Sequence, residues 1–285
     1  MTPTLTPIRS QPIPNFCGPQ GQKVIVAIGW HVDAESSVIA GDPLAKDHLT
    51  ALSEGAYGVS TAIPRILKMH EELDIPATFF VPGYVADLHP EEIGAIASAG
   101  HELAHHGYMH ENCFHLDTAT QKEVFVKGID ALQRITGKAP LGWSAPTWGV
   151  KPDTLELLCD LGFLYDCSLM EYDTPYQLLT PKGTLLELPI SMVLDDWQIF
   201  GASPHPGGGV NATAANAYQI WQEEFEGMCR FGGFFSTTFH PNLMGRPGRL
   251  NMLYQLFEMM KSRSDIWWAT CEEVALYART LVRTE

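Results

Sequence analysis

Residues Gly100 to Asn112 read GHELAHHGYMHEN. The first part, His101 to His106, has the character of a short strand, and it ends in histidine. His110 follows four residues later, so two imidazoles can close on one metal ion. Upstream, Val24 to Ser36 reads VIVAIGWHVDAES. Its run of Val, Ile and Ala marks Lys23 to Asp33 as a buried strand, and Asp33 at its end could supply a third ligand. A set of two histidines and one carboxylate leaves coordination positions open, which a catalytic metal needs and a structural zinc lacks. On an amphipathic helix the same histidine spacing is often mere packing. The strand-end position and the upstream acid set this pair apart.

Working outward, strand-like and helix-like segments alternate. Pro76 to Val81, Leu141 to Ala145, Phe163 to Ser168, Leu185 to Ser191 and Gly233 to His240 read as strands. Helical patterns cover Val59 to Leu73, Pro90 to Ser98, Thr118 to Ile135, 151–161, 212–230 and 248–262, and Trp267 to Thr270 leads into a last helix. Residues 36–56 read as a loop-like insertion over the active site. Strands separated by helices imply βα units and a parallel sheet. Seven strands in one domain imply an α/β barrel, closed or nearly so, over residues 21–285. Residues 1–20 carry five prolines and no periodicity, so they read as an extended proline-rich arm. Leu5, Ile8, Ile13 and Phe16 give that arm apolar side chains to bury, for instance as a strap on a neighbouring subunit. With the apolar helix at 248–262, this predicts a homo-oligomer, a dimer or tetramer.

Composition narrows the partners. The 285 residues carry 33 acids and 18 bases, a formal net charge of −15. That speaks against nucleic acid and anionic membrane surfaces and favours a neutral or cationic small-molecule substrate. The unbroken apolar stretches fall short of the ~20 residues that a spanning helix needs. No basic segment followed by an apolar core opens the chain, which predicts a cytoplasmic protein. The six cysteines contain no C-x-x-C pair and read as reduced thiols.

The polar candidates sit where strands end: Asp33, His106, Asp166 and His240. In β/α barrels the carboxyl ends of strands face the active site. Seven motifs extend this pattern: HVDAES around Asp33, PATFFVPG at 76–83, AGHELAHHGYMHEN at 99–112, GKAPLGWSAPTWG at 137–149, YDCSLMEYDTPY at 165–176, LELPISMVLDDW at 186–197 and FHPNLMGRPGR at 239–249. In these the chain resembles the polysaccharide deacetylase superfamily, carbohydrate esterase family four. The closest resemblance is to a cytosolic branch of peptidoglycan deacetylases, cyclic imide hydrolases and metal-independent allantoinases. The resemblance covers about residue 23 to the C-terminus and implies a distorted seven-stranded (β/α) barrel. It also implies Asp33, His106 and His110 as ligands of a divalent metal, His240 as general acid, and Ser144, Pro146 and Trp148 as a substrate wall. Zinc fits two histidines and an aspartate first; cobalt, nickel or manganese fit the same set.

Two departures stand out. Deacetylases of the superfamily carry a second acid, the catalytic base, beside the metal aspartate or two residues before it. Here His31 stands two before Asp33. Strand alternation would put His31, Asp33 and Glu35 on one face, so either His31 or Glu35 could be the base. Ser144 stands where many members carry an arginine. Both changes point from sugar deacetylation toward hydrolysis of a carbon–nitrogen bond in a small molecule such as a cyclic imide. N-deacetylation of a hexosamine polymer is the second reading, and a metal-free or inactive relative the third. Trp30, Trp143, Trp148 and Trp197 fall near strand ends and suggest a flat-walled pocket, although core packing is the default for tryptophan. His105 reads as a core residue turned away from His106, and Asp166 as a group that orients a neighbour. Asp195 and Asp196 read as a substrate-facing pair or a helix cap. Arg246 either binds substrate or holds the loop after His240.

Overall fold

Strand β2, Val24–His31, is buried along its whole length because other strands flank both its edges. The computed structural model describes residues 8–201 and 212–282. The first strand, β1, is Arg9–Pro12; after β2 come β3 (Ala77–Val81), β4 (Glu102–His105), β5 (Gly142–Trp143) and β6 (Tyr165–Asp166). Then follow β7 (Tyr176–Thr180), β8 (Gly183–Glu187), β9 (Gly233–Ser236) and β10 (Ile266–Trp268). Parallel pairing runs from β9 through β2, β3, β4, β5 and β6 to β8. The short β10 pairs with Val24–Val26, beside the half of β2 that β3 does not reach. Between β8 and β9, among the described residues, the ring is bridged only by the isolated pair Asp195–Thr238. This is the expected single-domain α/β fold, a distorted (β/α)7 barrel whose sheet curls without full closure.

Close packing of β2 against the return strand depends on Gly29. A Cβ there would lie 2.4 Å from the Thr237 carbonyl oxygen. On the outer face Trp30, Phe79 and Phe239 pack together, and the covering helices complete this layer. The long helix Thr118–Thr136 starts where the Asp117 side chain accepts the Thr120 N–H, and it ends at Gly137 with φ 77°. Both are ordinary stop and start chemistry.

Three expectations need correction. Residues 36–56 are mostly helical: Ala34–Gly41, a 3-10 turn Pro43–Asp47, and Leu49–Tyr57. Asp42 and His48 accept the Leu44 and Ala51 backbone N–H groups, and these caps make the segment helical. The reading also passed over β7, an antiparallel hairpin partner of β8. Its turn is braced by the Thr180 hydroxyl, which accepts the N–H groups of Lys182 and Gly183. The third correction concerns the arm. Arg9–Pro12 adds antiparallel to the edge of β7, and Ile13 and Phe16 bury within the chain itself, Phe16 against Tyr277. Burial of two such side chains contributes about 3–6 kcal/mol, so they need no neighbouring subunit; Leu5 lies outside the described residues. The helix Pro247–Lys261 likewise turns Leu253, Leu256 and Phe257 into its own core. All six cysteines are free. Among the described residues no helix is long and apolar enough to cross a membrane.

Candidate active site

The carboxyl ends of β2, β4, β5 and β9 open on one cavity of about 1310 Å³. His31, Asp33, His106, His110 and His240 all line it. The histidine pair does not sit on a helix. β4 stops at His105, and the chain turns through Gly107 (φ 75°) and His110 (φ 61°), which brings both imidazoles back to Asp33. His110 Nε2 lies 3.2 Å from Asp33 Oδ2, and His106 Nε2 lies 3.5 Å from Oδ1. His31 Nδ1 is 3.3 Å from His106 Nε2.

The chain turns helical at Ala34, with φ 48°, so the alternation expected to carry Glu35 into the site fails. Glu35 lies in the first turn of a helix and pairs with His89 at 3.1 Å. His31 is the candidate base that the fold brings to the cavity. Glu35→Ala should therefore leave turnover and metal content at the wild-type level. A loss of ~10² or more in kcat, the size of a missing general base, would return the role to Glu35.

The donor set fits a cation. His106 Nδ1 lies 2.7 Å from the Ser144 carbonyl oxygen, so Nδ1 carries the proton and Nε2 presents its lone pair to Asp33. Burial holds His106 down at about 3, hence neutral. Asp33 is ionised despite its burial, because His110 and His240 stand beside it. Its Oδ1 is buried and has no hydrogen-bond partner. Two electron-rich atoms facing each other in a dry site call for a positive charge between them. Asp33, His106 and His110 thus suit a divalent metal, with His31 alongside; His31, Asp33 and His106 bring one donor atom each within 4.8 Å of one another.

His240 is built differently. Its Nδ1 donates to Asp196 Oδ1 at 2.6 Å, and its backbone N–H donates to Asp196 Oδ2 at 2.8 Å. Burial alone would lower His240, but the Asp196 charge and hydrogen bond outweigh it and raise the imidazole to about 9. Asp196 is therefore the residue that orients His240. Its neighbour Asp195 caps the helix Asp196–Phe200 by accepting the Trp197 N–H. Of the two roles read from the sequence, the cap holds for Asp195; Asp196 is fully buried and faces His240 rather than substrate. His240 Nε2 points at Asp33 Oδ2 from 3.5 Å, across the centre from His31. Burial, with His106 and His240 close by, pushes His31 well below the usual imidazole range. The cavity thus pairs a neutral imidazole with a protonated one.

The four tryptophans divide between cavity and core. Trp148 and Trp197 line the cavity. Trp30 precedes His31 and so points outward, donating its indole N–H to His70; Trp143 is buried against Phe125. Ser144 turns its hydroxyl to the Cys167 carbonyl and braces His106 rather than facing solvent. Arg246 stacks on Tyr57 and donates to the Asn242 carbonyl, which holds the loop after His240. His105 is a buried core residue bonded to Phe125 O. Ala34, His110, Thr147 and Trp148 all adopt positive φ. Such backbone costs of order 1–3 kcal/mol at each non-glycine position and marks a pre-organised site.

The polysaccharide deacetylase family model matches residues 54–165. A peptidoglycan deacetylase of Helicobacter pylori is 31% identical over 283 residues, covering 89% of this chain and 96% of its own. A crystal structure of a polysaccharide deacetylase-like protein from Mycobacterium smegmatis superposes with a TM-score of 0.91 at 40% identity, covering 97% of this chain and all of that one. The crystal structure of Puue allantoinase gives a TM-score of 0.81 at 26% identity over 92% of each chain.

Proposed function

This chain belongs to the polysaccharide deacetylase family, and from that premise we propose that it is a metal-dependent hydrolase of a non-peptide carbon–nitrogen bond in a small molecule such as a cyclic imide or amide. The observation that carries the reading is the convergence of Asp33, His106, His110, His31 and His240 on one point of one cavity. Asp33, His106 and His110 would hold the metal, with zinc the first candidate. When bound, a divalent ion polarises the scissile carbonyl and acidifies the attacking water. His31, neutral, takes the water's proton. His240, protonated, gives its Nε2 proton to the departing nitrogen while Asp196 keeps the ring in place. Trp148 and Trp197 frame the substrate as flat walls.

The small-molecule preference rests on those walls, on the apolar Val38, Ile39 and Leu44 that the 34–57 segment adds to the cavity, and on His31 in the position of the family acid. The Helicobacter relative favours the second reading, N-deacetylation of a peptidoglycan- or chitin-type polymer. Purified enzyme should open succinimide-like or hydantoin-like rings faster than it releases acetate from chitin oligomers or peptidoglycan. Strong acetate release without ring opening would reverse that order. The same reading puts the reaction in the cytoplasm. A net charge of −15 supports neither nucleic acid nor an anionic membrane as partner. Assembly as a dimer or tetramer is a separate proposal, decided by light scattering on the full chain, since Ile13 and Phe16 of the arm and Leu253, Leu256 and Phe257 of the helix are buried within the chain itself.

A further inference from the structure

Behind the site, on the opposite face of the sheet, Trp143, Asp166, Glu187 and Tyr176 stand side by side on four neighbouring strands. All four are buried. Asp166 Oδ2 and Glu187 Oε2 have no other hydrogen-bond partner. Their remaining oxygens are engaged. Glu187 Oε1 accepts the N–H groups of Ser168 and Leu169 at 2.9 and 2.7 Å. Asp166 Oδ1 accepts the Ser168 hydroxyl at 2.5 Å. One proton shared between the two free oxygens satisfies both. Burial lifts both carboxyls, Asp166 to about 6 and Glu187 well above its ordinary range, as a pair that shares one proton requires.

From Asp166 a directional chain leads to the metal site. The Ser168 hydroxyl donates to Asp166 and accepts the Ala145 N–H at 2.9 Å. That N–H belongs to the same peptide group as the Ser144 carbonyl, which accepts His106 Nδ1–H at 2.7 Å. Every donor and acceptor along the chain is used in one sense. Such chains polarise cumulatively in a low-dielectric interior, and Ser144, Ala145, Asp166 and Ser168 are all buried. Histidine ligands are ordinarily oriented by a carboxylate or carbonyl on their second nitrogen. Here one peptide group joins the carbonyl to a carboxylate two hydrogen bonds away.

We propose that Asp166 is a positioning residue for His106, acting through Ser168 and the Ser144–Ala145 peptide to fix the His106 tautomer and raise the basicity of Nε2 toward a metal. This rests on the reading that His106 is a ligand, and the test separates the two. Zinc affinity of the full chain is measured by competition with a chelator, and the His106 side-chain N–H is followed by proton–nitrogen NMR in the metal-free protein. Ser168→Ala should weaken zinc binding by about 10–100-fold and move the His106 Nδ1–H resonance upfield. Ser168→Thr, which keeps the hydroxyl, should restore both, and Asp166→Asn should give a partial form of the same changes in a near-isosteric protein. If wild type binds no zinc while the resonance still moves, the ligand reading falls and the relay stands. If zinc affinity and the resonance are both unchanged in Ser168→Ala and Asp166→Asn, the relay is overturned.

Discussion

His240→Ala is expected to lower kcat by ~10²–10⁴, the range for a lost general acid, with metal content unchanged. The geometry behind this is the short Asp196–His240 contact and the approach of Nε2 to Asp33. The pH dependence gives the finer test. Turnover requires His240 protonated, and its imidazole is raised to about 9 by Asp196, so the rate should hold through neutrality and fall as pH rises through about 9. It also requires His31 neutral. Since His31 is lowered by burial and its histidine neighbours, the acid limb should lie below the ordinary imidazole value of about 6.5. Both limbs are properties of the coupled cluster rather than of single residues. Asp196→Asn removes the charge that raises His240, so its alkaline limb should move toward neutral pH and its kcat should fall with little change in metal affinity. An alkaline limb that stays in place in Asp196→Asn would separate Asp196 from the acid and undo the assignment.

Much of this arrangement was legible in the chain. β2 and β3 could be read because they are largely apolar runs buried on both faces, and β4 because its buried ELAH leads into the histidine motif. That Asp33, His106, His110 and His240 share one cavity could be read because barrel chemistry collects at strand ends. The hairpin partner β7 escaped because a reading built on alternating strands and helices expects a helix between strands. Glu35 was misplaced because alternation was carried past His31, where the strand already ends and Ala34 turns into a helix. Trp30 and Trp143 were misplaced for the opposite reason: each sits one residue before a site-facing position, so alternation should have sent it outward. The acids at 195 and 196 were visible as a pair, but only the fold shows that Asp196 reaches the backbone N–H and the ring of His240 at once. The signal in the chain was the doubled acid before Trp197, compatible with a cap and with a partner for His240. The Asp166–Glu187 pair depends on cross-strand register, which local pattern does not carry.

The largest expected loss follows from removing a ligand. His106→Ala and His110→Ala should each cost most of the bound metal, and turnover should fall with it. A catalytic metal supplies several kcal/mol of transition-state stabilisation; about 4 kcal/mol corresponds to ~10³ in rate. The barrel should survive. His106 and His110 follow the end of β4 rather than lying within it, and loss of His106 leaves one buried acceptor, Ser144 O, without its donor. That costs about 1–3 kcal/mol, against the 5–15 kcal/mol typical of a folded domain. Circular dichroism of the variants should therefore match wild type while metal analysis does not. Chelation of wild type should reproduce the loss of turnover, and added zinc should restore wild type but neither variant. Full metal occupancy in both variants would remove the two histidines from the centre. Metal loss with full turnover would instead make this a metal-free hydrolase run by His31 and His240 alone.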